Sequence, residues 1–205
     1  STIANEIEDD HILVSIGVEG NSNGFGLKSI GVDIGENQHI KVNENGQTNI
    51  DNIYAVGDVT GPPWLAHVSS SEGLYVAEYI ANLNPKKIDY DCIPACTYSK
   101  PEIGSIGSDQ KALDDKGVNY KIAKSFFNAN GRAVASGSTD GFIKILVSDD
   151  NLILGAHIIG SNATEMISEF SLAMSNQLTL ENILSSVHPH PTFSEAIFET
   201  LMQLK

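Results

Sequence analysis

Two short stretches of this 205-residue chain combine residue types that can do chemistry. One is Val187-His188-Pro189-His190-Pro191-Thr192-Phe193-Ser194-Glu195. Pro189 and Pro191 restrict the backbone on either side of His190, and Glu195 falls one turn into the helix that the following apolar spacing predicts. A carboxylate placed there can reach back to an imidazole nitrogen and raise the basicity of the ring, which makes His190 with Glu195 a positioned general base. Thr192-Phe193-Ser194-Glu195 also reads as a helix capping box, with Thr192 as the cap and Glu195 at the third helical position. The second stretch is Asn52-Ile53-Tyr54-Ala55-Val56-Gly57-Asp58-Val59, a strand-like run that ends in Gly57-Asp58 and is followed by Gly61 and a helix from about Leu65. A glycine there lets the backbone approach a ligand closely, and a helix amino terminus favours negative charge. The Asp58 carboxylate only accepts hydrogen bonds, so it suits a sugar or ribityl hydroxyl better than a phosphate. Strand-Gly-Asp is equally a common turn.

Two further groupings lead away from chemistry. His188 and His190 are the only neighbouring imidazoles, while His11, His39, His67 and His157 are scattered, so no metal site is expected from a set far short of zinc's ligand count. Cys92-Ile93-Pro94-Ala95-Cys96 has three intervening residues including a proline, whereas redox pairs usually have two at a helix start. Both cysteines are expected to be packing residues. Trp64 and Arg132 stand in no constellation of their own.

The elements that must position these residues follow from periodicity. A β-branched run, His11 to Ile16, predicts a buried strand, with an earlier strand around Thr2 to Ile7. Gly17 to Asn52 is rich in Gly and Asn, with short apolar islands at Phe25 to Ile34 and His39 to Val42, and predicts irregular loops with one short strand. Apolar residues from Leu65 to Leu83 recur at a spacing of about 3.6 and predict a helix stopped by Asn84-Pro85. Lys86 to Pro94 reads as a linker. Beyond it come strands at Glu102 to Gly107, Tyr120 to Phe127, Gly141 to Val147 and Leu152 to Gly160. Helices are expected at Asp109 to Lys116, Ala163 to Asn176, Leu178 to Ser185 and Phe193 to Leu204. This is the order of an α+β domain. Ser148 to Asn151 suits the hairpin turn between the third and fourth strands.

Composition narrows the partners. Lys and Arg number 12 against 26 Asp and Glu, a net charge of -14, which repels the phosphates that nucleic-acid binders must neutralise. No apolar run approaches the roughly 20 residues of a membrane-spanning helix. Two cysteines in so long a chain are no disulfide framework, so a reducing, cytoplasmic setting is expected. The absence of an initial methionine and the abrupt start in an apolar run suggest the carboxy-terminal part of a longer protein.

Taken jointly, Thr48 to Asp58, Leu65-Ala66-His67, Ile93-Pro94 with Tyr98 and Pro101-Glu102, and His188 to Glu195 resemble the carboxy-terminal half of the flavin disulfide reductases, in particular the dihydrolipoamide dehydrogenase branch. The resemblance covers essentially the whole chain. It implies the end of an NAD-binding domain (1–20), a central FAD-contacting domain (21–90) and an antiparallel-sheet interface, or dimerisation, domain with helices (91–205). It implies that Asp58 binds the ribityl chain of FAD, that Trp64, Leu65, Ala66 and His67 lie against the flavin, and that Gly17 approaches NAD. Val18-Glu19-Gly20 departs from the two arginines and proline that often follow that glycine. His190 matches the base that takes the proton of a dihydrolipoyl thiol, with Glu195 its orienting carboxylate, serving the flavin site of the partner in a homodimer. The His190-Pro191 bond is often cis in relatives. A lipoyl domain and the acyltransferase core of a 2-oxo acid dehydrogenase complex are the implied partners. The redox disulfide and both glycine-rich nucleotide loops of the family are missing from this sequence, so the piece alone is expected to be inactive. A glutathione reductase-like enzyme and a non-catalytic dimerisation module are the alternatives.

Overall fold

The computed structural model describes residues 8–205 and divides the chain into two compact units, Ser1–Ile88 and Asp89–Lys205. The strand expected around Thr2 to Ile7 lies outside the described residues. Among the described residues, no helix is long and apolar enough to cross a membrane.

In the first unit the expected strand from His11 to Ile16 is not formed. The backbone there is irregular, and Ile12, Leu13, Val14 and Ile16 are exposed. Strand geometry is held by hydrogen bonds to a neighbouring strand, and none of the described residues pairs with this segment. The expected strand from Asn52 to Val59 is likewise reduced to one bridge, Gln47 with Tyr54, and the short strand expected between Gly17 and Asn52 to a bridge between Ile34 and Ile40. Loop bonds replace the ladder: the Thr48 amide donates to the Ile53 carbonyl and the Ala55 amide to that of Gly46. Helix α1, Ala66–Ile80, is shorter than its apolar spacing suggests. Asn82 and Asn84 take left-handed φ values of 57° and 50°, and the Leu83 amide folds back to the Glu78 carbonyl, closing the helix before Pro85 is reached.

The second unit is built on a five-stranded, wholly antiparallel sheet. In chain order its elements are β1 (Ala95–Thr97), β2 (Ile103–Gly107), α2 (Gln110–Asp115), β3 (Lys121–Phe126), α3 (Gly131–Ser136), β4 (Gly141–Val147), β5 (Ile153–Gly160), α4 (Ala163–Ser175), α5 (Leu180–Ser185) and α6 (Glu195–Leu201). The strand order is β1-β2-β5-β4-β3. The central hairpin closes as its sequence predicts, the Ser148 amide donating to the Leu152 carbonyl and the Asn151 amide to that of Ser148. Register follows the two-residue alternation: Ile106 lies opposite Ala156, Ala156 opposite Ile145, and Ile145 opposite Ala123. That row belongs to the face that packs on the helices.

Helix α4 packs on β2 and β5, and α6 on β3 and β4. Ala163, Met166, Ile167, Phe170 and Ala173 are the buried stripe of α4, spaced for one helical face. Gly104 of β2 permits this approach, because a Cβ there would stand 2.5 Å from the Ala163 carbonyl oxygen. Ala196, Ile197, Thr200 and Leu201 form the buried stripe of α6. On the opposite face of the sheet, Lys144 donates to Gln110 at the start of α2. Lys124 Nζ sits 4.1 Å and 4.8 Å from the ring centres of Phe142 and Phe126.

Two elements escaped the sequence reading. β1 is only three residues long, too short to show alternation, and α3 is six residues capped by Asn130 rather than by an apolar pattern.

Candidate functional site

The segment from Ser186 to Ser194 joins α5 to α6 and carries both imidazoles of the His-Pro-His-Pro run. It is anchored from below by Asn130, which is 1% exposed. The Asn130 Oδ1 accepts from the Ala133 amide at 3.0 Å and caps α3, while its Nδ2 donates to the Thr192 carbonyl at 3.1 Å. Phe193 sets its ring edge-on to the fully buried Phe127, 5.8 Å between centres. The His190-Pro191 bond is cis.

On this base His190 Nδ1 stands 2.8 Å from Glu195 Oε1. The other carboxylate oxygen, Oε2, accepts from the Thr192 amide at 2.8 Å. An ionised carboxylate only accepts, so Nδ1 is the donor in this pair, and Nε2 is the nitrogen through which the ring can exchange a proton. The His190 side chain is 78% exposed and that of Glu195 22%, so the ring is presented to the surface by a carboxylate that is largely covered. The Thr192 amide foremost, and the His190 contact after it, hold the Glu195 carboxyl below its ordinary value of 4.5. A depressed carboxylate contributes stability above its unfolded pKa and loses it only as pH falls through the folded value, so the tie is intact at neutral pH and lost in acid. Four residues on, the Glu199 carboxyl is pushed the other way, by burial first and by the charge of Glu195 second.

The capping box forms by half. Glu195 reaches the Thr192 amide, but the Thr192 hydroxyl donates to the Pro189 carbonyl at 2.7 Å instead of capping the helix. Helix α6 begins at Glu195 with no side-chain cap. Closing the Pro189 to Thr192 turn has taken the hydroxyl that the cap would need.

The residues of the other sequence stretch lie in the first unit. Gly57 is buried at a φ of 78°, and a Cβ on it would stand 2.8 Å from Ser69 Oγ of α1, so only glycine lets this turn lie so close to the helix. Its amide donates to Glu72 Oε2 at 2.7 Å. Asp58 opens a 3₁₀ turn, Asp58–Thr60, and is exposed; no hydrogen bond to its carboxylate is seen among the described residues. Pro62-Pro63 is cis, and the turn leads through exposed Trp64 and half-buried Leu65 to Ala66 and His67, the first residues of α1. That helix start has no side-chain cap and no acid in its first turn. Ser69, Ser70 and Ser71 instead turn their hydroxyls back to the carbonyls of Leu65, Ala66 and His67. Beside the turn His39 lies 6.2 Å from Trp64, ring centre to ring centre, and its Nε2 is buried with no partner among the described residues. Gly17 sits in the exposed irregular segment at a φ of 145°.

An exposed acceptor at Asp58, an uncapped helix start and a buried unpaired nitrogen at His39 fit a ligand that carries hydroxyls and acceptor groups, as a flavin with its ribityl chain does.

No disulfide joins Cys92 and Cys96. Cys92 donates to Asp89 Oδ2, and the Cys96 thiol to the Thr164 carbonyl at 3.9 Å. Burial, then the charges of Glu102 and Glu165, push the Cys96 thiol up, away from a reactive thiolate. No group of three or more metal-ligating side chains is found among the described residues.

Sequence reasoning missed Asn130 and the partner of His188, which is Glu169 on α4. Asn130 had a signal in Asn130-Gly131-Arg132, a cap pattern before a short helix. The contact of Glu169 with a residue 19 positions away leaves no trace in local spacing.

Comparison with known proteins identifies the chain's relatives. Residues 93–201 match the pyridine nucleotide-disulphide oxidoreductase dimerisation domain, and residues 2–73 match pyridine nucleotide-disulphide oxidoreductase. The chain is 39% identical over 194 residues to a dihydrolipoyl dehydrogenase of Bacillus subtilis, covering 94% of this chain and 41% of that protein. A mitochondrial dihydrolipoyl dehydrogenase of Caenorhabditis elegans is 41% identical, with 94% of this chain and 39% of that protein covered. The chain thus spans about two fifths of the length of the curated relatives it matches. Among solved structures, LpdA of Mycobacterium tuberculosis superposes with a TM-score of 0.86 at 26% identity, over 91% of this chain and 41% of that one. The flavoprotein disulfide reductase RclA of Escherichia coli shares the fold, at a TM-score of 0.83 and 22% identity over 91% of this chain and 43% of that one. With more than half of its length matched by the dimerisation domain and most of the rest by the companion domain, the chain belongs to the pyridine nucleotide-disulphide oxidoreductase family.

Proposed function

We propose that this chain supplies the substrate-side base and the dimer-forming surface of a flavoenzyme that oxidises dihydrolipoamide with NAD+. The observation that carries the reading is the His190 and Glu195 pair, in which one carboxylate oxygen holds Nδ1 and the other is fixed by the Thr192 amide. His190 Nε2 then faces outward as a proton acceptor. A thiol with a pKa of about 8.5 is mostly protonated at neutral pH, so an imidazole base is what its activation requires. The proton leaves sulfur for Nε2, and Glu195 stabilises the imidazolium that results.

Asp58, Trp64, Leu65, Ala66 and His67 are assigned to FAD and Gly17 to NAD, with 1–20, 21–90 and 91–205 as the end of an NAD-binding domain, the central domain and the interface domain. Bound FAD would supply the two-electron chemistry between the substrate dithiol and NAD+. The redox disulfide must come from elsewhere, because Cys96 packs against the core with its thiol on the Thr164 carbonyl while Cys92 donates to Asp89, and the chain by itself is expected not to turn over. A second copy of the chain, a lipoyl domain and the acyltransferase core of a 2-oxo acid dehydrogenase complex are the partners in this reading. A reducing cytoplasmic compartment is the setting in this reading.

The test is to assay the chain together with FAD- and NAD-binding portions for dihydrolipoamide-dependent reduction of NAD+. Activity with glutathione disulfide and none with dihydrolipoamide would overturn the substrate assignment. In the same assay Glu195→Gln is expected to slow turnover by at least about 10-fold, part of the contribution of a general base. The amide can still accept one hydrogen bond but not both, while the melting temperature should change little. Equal damage to folding and rate would make the tie to Thr192 the main role of Glu195.

A further inference from the structure

The two histidines of the run face opposite ways. Where His190 is exposed, the His188 side chain keeps only 9% of its surface. Its Nε2 lies 2.9 Å from Glu169 Oε1 on α4, and its Nδ1 lies 3.2 Å from the Ser186 carbonyl. Its ring also meets Phe198 of α6, three residues beyond Glu195, at 5.9 Å between centres. A carboxylate only accepts, so Nε2 is the donor in the contact with Glu169.

Glu169 is next to the fully buried Phe170 and two residues after the buried Ile167, so it stands on a helix held by the core. The segment bearing His190 therefore has two separate attachments before it reaches Glu195: the Asn130 side chain on the Thr192 carbonyl, and Glu169 on His188. The first fixes the segment after His190 and the second fixes it before. A base whose ring is mostly in solvent depends on such attachments, since a misplacement of about 1 Å can cost as much as 100-fold in rate.

We propose that His188 is a positioning residue for His190, its buried ring tied by Nε2 to Glu169 so that the segment before the base is clamped to α4. The inference rests on His190 being the base, and its test is chosen to be separable from that reading.

In side-chain proton–nitrogen spectra of the chain labelled at histidine, near neutral pH, His188 is expected to show a slowly exchanging N–H signal at Nε2. His190 should show one, at Nδ1. In Glu169→Gln and in His188→Asn, exchange of the His190 Nδ1 proton with water should quicken by about 10-fold or more, as local opening becomes easier. Glu169→Gln removes only the charge of a partly exposed side chain, so it provides the answer if His188→Asn does not fold. A His188 Nε2 with no slowly exchanging N–H in the unaltered chain would overturn the proposal. So would a His190 exchange rate unchanged in variants whose backbone spectra remain native. In the assembled flavoenzyme, both variants should lower kcat for dihydrolipoamide by about 10-fold with KM within about twofold, and Glu169→Asp should recover part of the loss. A KM change alone would assign His188 to substrate contact and overturn the positioning role. Should His190→Gln leave turnover intact, the base reading fails, and the spectra still decide whether the clamp exists.

Discussion

Replacing His190 with Gln in the assembled flavoenzyme should cut dihydrolipoamide oxidation by about 100-fold or more, the scale of a lost general base. Gln can donate to Glu195 much as Nδ1 does, so the local geometry has a route to survive, but it offers no group that takes a proton from a thiol near neutral pH. Because the His190 side chain is 78% exposed, little burial is lost and the melting temperature should stay within a degree or two, as for ordinary surface changes. Raising the pH toward the thiol's own value of about 8.5 should return part of the rate, since thiolate then forms without help. Steady-state turnover across pH, with thermal melts of both proteins, checks all three expectations. Unchanged turnover would remove His190 from the reaction.

The second large effect lies in the core. Phe127→Ala should destabilise the Asp89–Lys205 unit by about 3–5 kcal/mol, the usual loss for emptying a buried aromatic site. Phe127 is fully buried and is the edge-on partner of Phe193, which follows Thr192 in the segment bearing the base. The cavity would thus open under the site as well as within the core. Denaturant melts give the stability change, and the melting temperature should fall by roughly 10 °C or more. A loss below about 1 kcal/mol would mean that the ring is not the keystone its burial indicates.

How much could be read from the residues differs between the two units. In the second, strands and helices fell near their expected places because each has a solvent face and a core face, and the alternation at Ile143, Ile145 and Val147 or the stripe at Met166, Ile167 and Phe170 records that asymmetry in the sequence. The same signal misled in the first unit. The run from His11 to Ile16 is as apolar as β4, yet it finds no pairing strand among the described residues, and composition cannot report a missing neighbour. At the site, the His190 and Glu195 pair was legible because it is local, five residues apart. Its half-formed cap was not, because the choice of the Thr192 hydroxyl for the Pro189 carbonyl is a matter of turn geometry. The contact between His188 and Glu169 spans separate elements, so it appears only once the chain has folded.

The division of labour at Glu195, one oxygen for the ring and one for the backbone, has a thermodynamic consequence. Freezing an imidazole and a glutamate in a single arrangement costs rotamer entropy that, in a looser site, would be charged at every encounter with substrate. Here that ordering is completed when the polypeptide folds. In the proposed reaction an arriving thiol has only its own freedom to lose, and the enthalpy of its contacts goes into alignment rather than into organising the protein.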